Sequence, residues 1–435
     1  MIGWELPPQN SGGLGVACEG LTKALTNDGV EITFTLPYSY QGVEIAPNMK
    51  ILDCYQVGSY LKCRELGGSE QIEWRSAPPF EAYTGSVKEV LSPAIIEEKM
   101  KSFCKLGIKE EVAATLLGHE LEKQLPLPFS SLEREVEHYS EAVLNEADRK
   151  IDDFDVVHAH DWMSLPAAMK IKRELGKPLV VHIHSTEFDR SLSSDFNSYI
   201  PRTELVGMRL ADKIIAVSYY TKRLLVEKYM IDPRKISVVH NGILPMMETA
   251  NPLTTQFATG RPVVVFMGRL TVQKGPEYFL TLADEILRQR PDALFVVAGN
   301  GDLYQDMLLR NARTGLSASV LFTNFLRGEQ RDALLQRADV FVMPSVSEPF
   351  GLVALEAVQR GTPVVISKHS GVAEVLDDTP SFDFWDIKKM ANETLRLIND
   401  KEYHEEILKR QEKKTTKLGW DRAAKKVEKI YRSLI

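Results

Sequence analysis

At 435 residues, with 44% hydrophobic and 26% charged side chains, the chain has a globular composition and is too long for one ordinary core, so two or three domains are expected. A net charge of −7 and a pI near 5.8 provide no basic face for a nucleic-acid partner, and no apolar run approaches the ~18 residues of a membrane span. The cysteines at 18, 54, 63 and 104 lack paired metal spacing, and the first residues lack a basic-then-apolar signal pattern, which fits free thiols in a cytoplasmic protein.

In chain order, Met1-Ile2-Gly3-Trp4-Glu5 reads as the end of a short strand. Asn10-Ser11-Gly12-Gly13-Leu14-Gly15 then precedes an amphipathic helix whose stripe is Leu14, Ala17, Cys18, Leu21 and Leu25. Glycines at a helix start let the backbone approach an anion, which makes Gly12 and Gly13 candidate substrate contacts. The simpler alternative is a turn with Ser11 as N-cap. The spacing is not Gly-x-Gly-x-x-Gly, so a nicotinamide dinucleotide is not favoured.

Strands are predicted at 30–36, 154–158, 178–184, 213–217 and 236–240, and again at 262–267, 293–298, 319–323, 339–343 and 362–366, with helical stretches between them. Repeated βα units imply parallel sheets with helices on both faces, and there are enough strands for two. Residues 55–135 are the least regular, with charged helical stretches around 93–124 and a proline-containing segment at 125–131, and read as an irregular helical excursion. Residues 244–261 read as a linker. The last segment, 420–435, places Ala424, Val427, Tyr431 and Leu434 on one face of a docking helix.

Two His-x-His pairs occupy Val157-His158-Ala159-His160-Asp161 and Val181-His182-Ile183-His184. One reading packs His158 and His182 inside the sheet, with His160 and His184 at its edge. The other gathers the four imidazoles and Asp161 around zinc or a metal pair, as in a metal-dependent hydrolase. His240-Asn241-Gly242 follows a strand, and its place favours a site role for Asn241.

The second half carries the most informative stretches. Gly-Arg-Leu-Thr-Val-Gln-Lys-Gly at 268–275 sets Arg269 and Lys274 just past the carboxyl end of a buried strand, where open α/β sheets bind ligands. Ser-Glu-Pro-Phe-Gly-Leu-Val-Ala-Leu-Glu-Ala at 347–357 puts Glu348 in a loop and Glu356 within a helix. Two cations and two separated carboxylates can divide a nucleotide sugar between them, the cations taking the diphosphate and the carboxylates taking hydroxyls. The hydrolase reading leaves these four residues without a role, and a non-catalytic sugar-binding protein would not need the cations.

Taken together, these segments resemble the retaining GT-B glycosyltransferases of family 4, on the side close to glycogen and starch synthases. The matching pieces are Trp4-Glu5-Leu6-Pro7-Pro8 with Ser11-Gly12-Gly13-Leu14-Gly15, His158-Ala159-His160-Asp161-Trp162, His184-Ser185-Thr186-Glu187-Phe188-Asp189-Arg190, Ala211 to Ser218, His240-Asn241-Gly242-Ile243, and the two stretches at 268–275 and 347–357. The resemblance implies an α/β GT-B fold: two Rossmann-like domains with parallel sheets facing a central cleft. Its domains would be 1–245 on the acceptor side, 246–418 for the nucleotide sugar, and a terminal helix at 419–435 crossing back to the first. It implies that Arg269 and Lys274 grip the diphosphate, that Glu356 holds the ribose, and that Glu348, with backbone N–H groups near Phe350, Gly351 and Leu352, holds the sugar hydroxyls. His184 and Gly13 would come from the N-terminal side, with Asp161 toward the acceptor.

The implied activity is a retaining, metal-independent hexosyltransferase with no cofactor. Its donor would be UDP-glucose or ADP-glucose, its acceptor an oligosaccharide or glucan, and its reaction a glycogen-synthase-like elongation of an α-glucan. A family-4 mannosyl or glucosyl transfer to a small acceptor is the alternative. Bacterial glycogen and starch synthases typically carry a Lys where this chain has Asn10, so one diphosphate contact of those enzymes is absent. Oligomeric state is left open.

Overall fold

The structure is a computed structural model that describes residues 1–7, 12–38, 46–57, 60–66, 101, 130–150, 153–192, 195–196, 198–244 and 260–435. Apart from Lys101, the helical stretches expected around 93–124 lie outside the described residues, as do Asn10, Ser11 and most of 125–131 and 244–261. The chain forms two compact units. One comprises Met1–Phe188, Ser193–Gly242 and Trp420–Ile435; the other comprises Asp189–Leu192 and Ile243–Gly419.

In the first unit, β4 (Val157–His160), β5 (Leu179–Ile183), β6 (Lys213–Ala216) and β7 (Ile236–Val238) form a parallel run in that order. β1 (Ile32–Leu36) pairs in parallel with β2 (Met49–Val57), which pairs antiparallel with β3 (Tyr60–Leu66). Ile2 joins the two runs, because it bridges Thr35 on β1 and Ala159 on β4. Its N–H donates to the His158 carbonyl at 2.8 Å, and its own carbonyl accepts from the His160 N–H at 3.1 Å.

Three sequence expectations change here. The β2–β3 hairpin occupies the start of the stretch read as irregular and helical. Strand β4 starts and ends later than 154–158, because its ladder begins where the Val157 N–H donates to the Pro178 carbonyl. The expectation of free thiols fails at Cys54, which is disulfide-bonded; Cys63 stands opposite it in the hairpin register.

The first helix, Gly13–Asn27, buries Ala17, Cys18, Leu21 and Leu25 against Ile32, Phe34 and Leu36 of β1 and against Trp420, Ala424, Val427 and Tyr431 of the last helix, Trp420–Arg432. Gly20 is required for that contact, since a Cβ there would fall 2.2 Å from Cε2 of Trp420. Overpacking of this kind costs about 1–3 kcal/mol. Gly20→Val should therefore lower the thermal midpoint by roughly 5 °C, measured by circular dichroism; an unchanged midpoint would show that the two helices are not packed this closely.

The second unit holds a six-stranded parallel sheet in the order β10 (Val320–Asn324), β9 (Leu294–Ala298), β8 (Val263–Met267), β11 (Val340–Met343), β12 (Val364–Ser367), β13 (Ser381–Phe382). β8, β9, β11 and β12 carry almost unbroken Val, Ile, Phe and Leu, as strands buried on both faces do, whereas the edge strand β10 is buried only at Val320. The order reverses between β8 and β11. In an open α/β sheet that switch point opens a crevice at the carboxyl ends of the strands, and ligands bind there.

Candidate active site

Both chemistry-bearing stretches of the second unit leave the sheet at this switch point. After β8 the chain runs through Gly268 and Arg269 into a short 3-10 turn, Val272–Lys274, and then the helix Pro276–Leu287. After β11 it runs through Ser345, Ser347 and Glu348 into the helix Leu352–Gln359. The two loops are tied together, because the Gln273 carbonyl accepts from the N–H groups of Val346 at 2.9 Å and Ser347 at 3.3 Å. Gly275, with φ +66°, allows this approach: a Cβ there would lie 2.3 Å from the Pro344 carbonyl oxygen.

The result is a Lys274–Glu348 ion pair across 74 residues of sequence, with Nζ donating to Oε2 at 2.5 Å. Ser345 Oγ also donates to that oxygen, at 3.4 Å. Glu348 is buried, and its backbone is held at both ends: its N–H donates to the His369 carbonyl, and its carbonyl accepts from the Gly371 N–H, each at 2.9 Å. Arg269 is exposed, and its guanidinium has no hydrogen-bond or ion-pair partner among the described residues.

Phe350 is buried, and Gly351 caps the helix Leu352–Gln359 in the left-handed region at φ +103°. The first N–H groups of that helix, beginning at Leu352, have no partner within the helix and project positive potential from its start. Glu356 lies in the same helix but in a different set of charges. Its carboxylate sits 3.4 Å from Arg331, which also contacts Asp332 at 3.1 Å; Asp332 in turn takes Arg360 at 2.6 Å. Burial pushes the Glu356 carboxyl above its ordinary value, against the pull of Arg331 and Arg360.

Sequence reasoning passed over several residues that build this loop. Gly299-Asn300-Gly301 follows β9, and a Cβ at Gly299 would fall 1.8 Å from the Gly268 carbonyl oxygen. The Leu270 N–H donates to the Asn300 carbonyl at 3.0 Å. The only sequence signal was a turn-like Gly-Asn-Gly after a strand. Arg331 gave none, since an arginine in a charged helix looks like a solvated face.

In the first unit, Gly12 is the N-cap of Gly13–Asn27 without a side-chain cap, and the space around a Cβ at Gly13 is open. Asp161 adopts φ +56°, uncommon for a residue with a side chain. Its Oδ1 accepts from the backbone N–H of His184 at 2.7 Å and of Ser185 at 3.3 Å, so it fixes the turn after β5. His184 is 9% exposed, with Nε2 3.1 Å from His160 Nδ1. Burial lowers its imidazole to about 3, so the ring is neutral at pH 7. Asn241 is buried beyond β7. All four histidines lie inside, so the expected split between interior and edge pairs does not occur; His158, His160 and His182 are 1%, 0% and 2% exposed.

A parallel sheet with its reversal beside a paired Lys and Glu, an Arg without a partner among the described residues and an open helix start defines an open α/β protein with a charged ligand site at its switch point. Comparison with known proteins narrows the class. Residues 249–414 match the family described as Glycosyl transferases group 1, and residues 101–245 match Glycosyltransferase Family 4. An uncharacterized glycosyltransferase of Methanocaldococcus jannaschii is 28% identical over 99% of this chain and 97% of its own length. Glycogen synthase of Mycobacterium tuberculosis is 32% identical over 51% of this chain and 54% of its own.

Among solved structures, sucrose-phosphate synthase from Thermosynechococcus elongatus superposes with a TM-score of 0.68 at 16% identity, covering 100% of this chain and 98% of that one. HepE of Anabaena in complex with UDP and glucose superposes at 0.58 and 20% identity, covering 67% and 81%. The chain belongs to the family 4 glycosyltransferases and has the GT-B fold. With the family assigned, the hydrolase reading of the histidine pairs is set aside. No helix among the described residues is long and apolar enough to cross a membrane.

Proposed function

We propose that this glycosyltransferase moves glucose from a nucleotide diphosphate sugar to a saccharide acceptor with retained configuration, elongating an α-glucan. The observation that carries the reading is the Lys274–Glu348 pair at the sheet's switch point, next to the unpartnered Arg269. A diphosphate leaves readily once its developing charge is neutralised, and fixed cations with a helix start do this without a metal. Arg269 and Lys274 take that charge. Glu348 and the N–H groups near Phe350, Gly351 and Leu352 take the sugar hydroxyls, and Glu356 takes the ribose.

Gly12, Gly13, Asp161, His184 and Asn241 serve the sugar and acceptor. The departing phosphate accepts the acceptor's proton as the acceptor attacks the same face of the sugar, through a transition state with oxocarbenium character. Exclusion of water protects that state from hydrolysis. Asn10 in place of the synthase Lys and the HepE complex with UDP favour UDP-glucose over ADP-glucose. Relatives described as D-inositol 3-phosphate glycosyltransferases, one 29% identical over 56% of this chain, support a second reading with a small acceptor.

A donor screen tests both. With UDP-glucose, nucleotide diphosphate release should rise when glycogen or maltooligosaccharides are added and persist in EDTA without added Mg²⁺ or Mn²⁺. Stimulation by a small polyol phosphate alone would select the second reading. Release that no hexose acceptor stimulates, or that requires Mg²⁺, would defeat the proposal.

A further inference from the structure

His158 and His160 sit two apart on β4, and residues two apart on a strand share a face. The register sets His182 of β5 beside His160. Four imidazoles consequently pile on one face of the first unit's sheet. Ring centroids are 4.4 Å apart for His158 and His160, 5.4 Å for His160 and His182, 5.3 Å for His158 and His182, and 4.1 Å for His182 and His184.

Their hydrogen bonding is one-sided. His158 Nδ1 is 2.5 Å from the Tyr431 hydroxyl, and His160 Nδ1 is 3.1 Å from His184 Nε2. The opposite nitrogens, His158 Nε2 and His160 Nε2, are buried without a partner, and so are both nitrogens of His182. Buried polar atoms are rarely left this way, and such a cluster calls for an occupant. A histidine with one ring nitrogen fixed by a hydrogen bond and the other free has the arrangement of a metal ligand with its outer-shell partner. One nitrogen from each of His158, His160 and His182 lies within 4.8 Å of the other two.

We propose that His158, His160 and His182 bind one transition-metal ion of the imidazole-preferring kind, zinc or copper(I), at a buried structural site that lies behind His184 and leaves that residue outside the ligand set. Three neutral nitrogens suit those ions and not Mg²⁺ or Ca²⁺, which take oxygen. Metal–nitrogen bonds of about 2.0–2.1 Å require the three nitrogens to draw in to roughly 3.3 Å of one another, a movement that ring rotation out of the stack supplies. The ion would clamp β4 to β5 and, through His158 and Tyr431, to the last helix. Its burial leaves no route for a substrate, so it performs no hydrolysis. Cys18, His160 and His184 form a second grouping that shares His160.

The test uses the full chain, prepared with a chelator and then given Zn²⁺ or Cu⁺ separately. After gel filtration, elemental analysis should find one ion per chain, and X-ray absorption should show light first-shell ligands at about 2.0–2.1 Å with the outer-shell scattering of imidazole and no sulfur. His182→Ala should abolish retention, and the conservative Tyr431→Phe should weaken affinity by about tenfold, the scale for losing an outer-shell partner. His138→Ala, at an exposed histidine, should change nothing. If His182→Ala does not fold, the Tyr431→Phe affinity and the absorption spectrum decide. Failure of both ions to bind the wild type would overturn the site in favour of buried water, and so would sulfur ligation, an absorption spectrum without imidazole scattering or unchanged affinity in Tyr431→Phe.

Discussion

Arg269→Ala should lower kcat by about 10²-fold, the scale for losing one preorganised charge donor, with a thermal midpoint equal to that of the wild type. The separation follows from the surroundings. Arg269 is exposed with no partner among the described residues, and such substitutions change stability by only about ±0.5 kcal/mol. Lys274→Ala should lose a similar factor in kcat but also destabilise the fold by about 3 kcal/mol, because it strands the buried carboxylate of Glu348. Lys274→Gln keeps a hydrogen-bond donor to Glu348, so it should recover most of that stability and little of the rate. Steady-state nucleotide release and thermal denaturation of the three variants check this. Near-wild-type turnover in both Arg269→Ala and Lys274→Ala would remove the charge-neutralisation argument.

Glu348→Gln should reduce kcat by about 10²-fold with a small change in donor KM, whereas Glu356→Gln should raise donor KM and leave kcat nearly intact. A ribose contact is the same in ground and transition states, so losing it weakens binding uniformly. A contact by the reacting sugar strengthens as charge develops. The pH dependence separates the two further. Since the Glu356 carboxyl is raised by burial, it protonates above the ordinary glutamate range. Donor KM should therefore rise as pH falls through that raised value, and the rise should vanish in Glu356→Gln.

Fold stability should respond in the opposite sense. A carboxyl whose folded pKa exceeds its unfolded one destabilises the fold at pH above the folded value, and this penalty is relieved as pH falls through it. Equal effects of both glutamine variants on KM alone would contradict the division of roles.

The alternation of buried strands and amphipathic helices was legible in the chain because short unbroken apolar runs and a 3.6-residue apolar period are local properties. Legible for the same reason were the loops after 262–267 and 339–343 and the residues they carry. The β2–β3 hairpin was not. Met49–Val57 and Tyr60–Leu66 are held chiefly by each other and by β1, and their charged alternation resembles a solvated excursion until that partner is present. The disulfide at Cys54 was hidden likewise, since a pairing depends on distance in space and not on spacing along the chain.

What the sequence by itself determined is the reaction class: which cations and carboxylates are available, and that they follow buried strands at the sheet edge where ligands bind. Tertiary structure alone decided which of them meet. Lys274 reaches Glu348 because β8 lies next to β11 in the sheet, and strand order comes from long-range pairing that no local pattern encodes. Glu356 instead falls to Arg331, one helix away, and burial there sets its proton affinity. The four histidines came together for the same reason: the parallel register of β4 and β5 lays His160 beside His182, and a shift of one residue would have sent either pair to the opposite face.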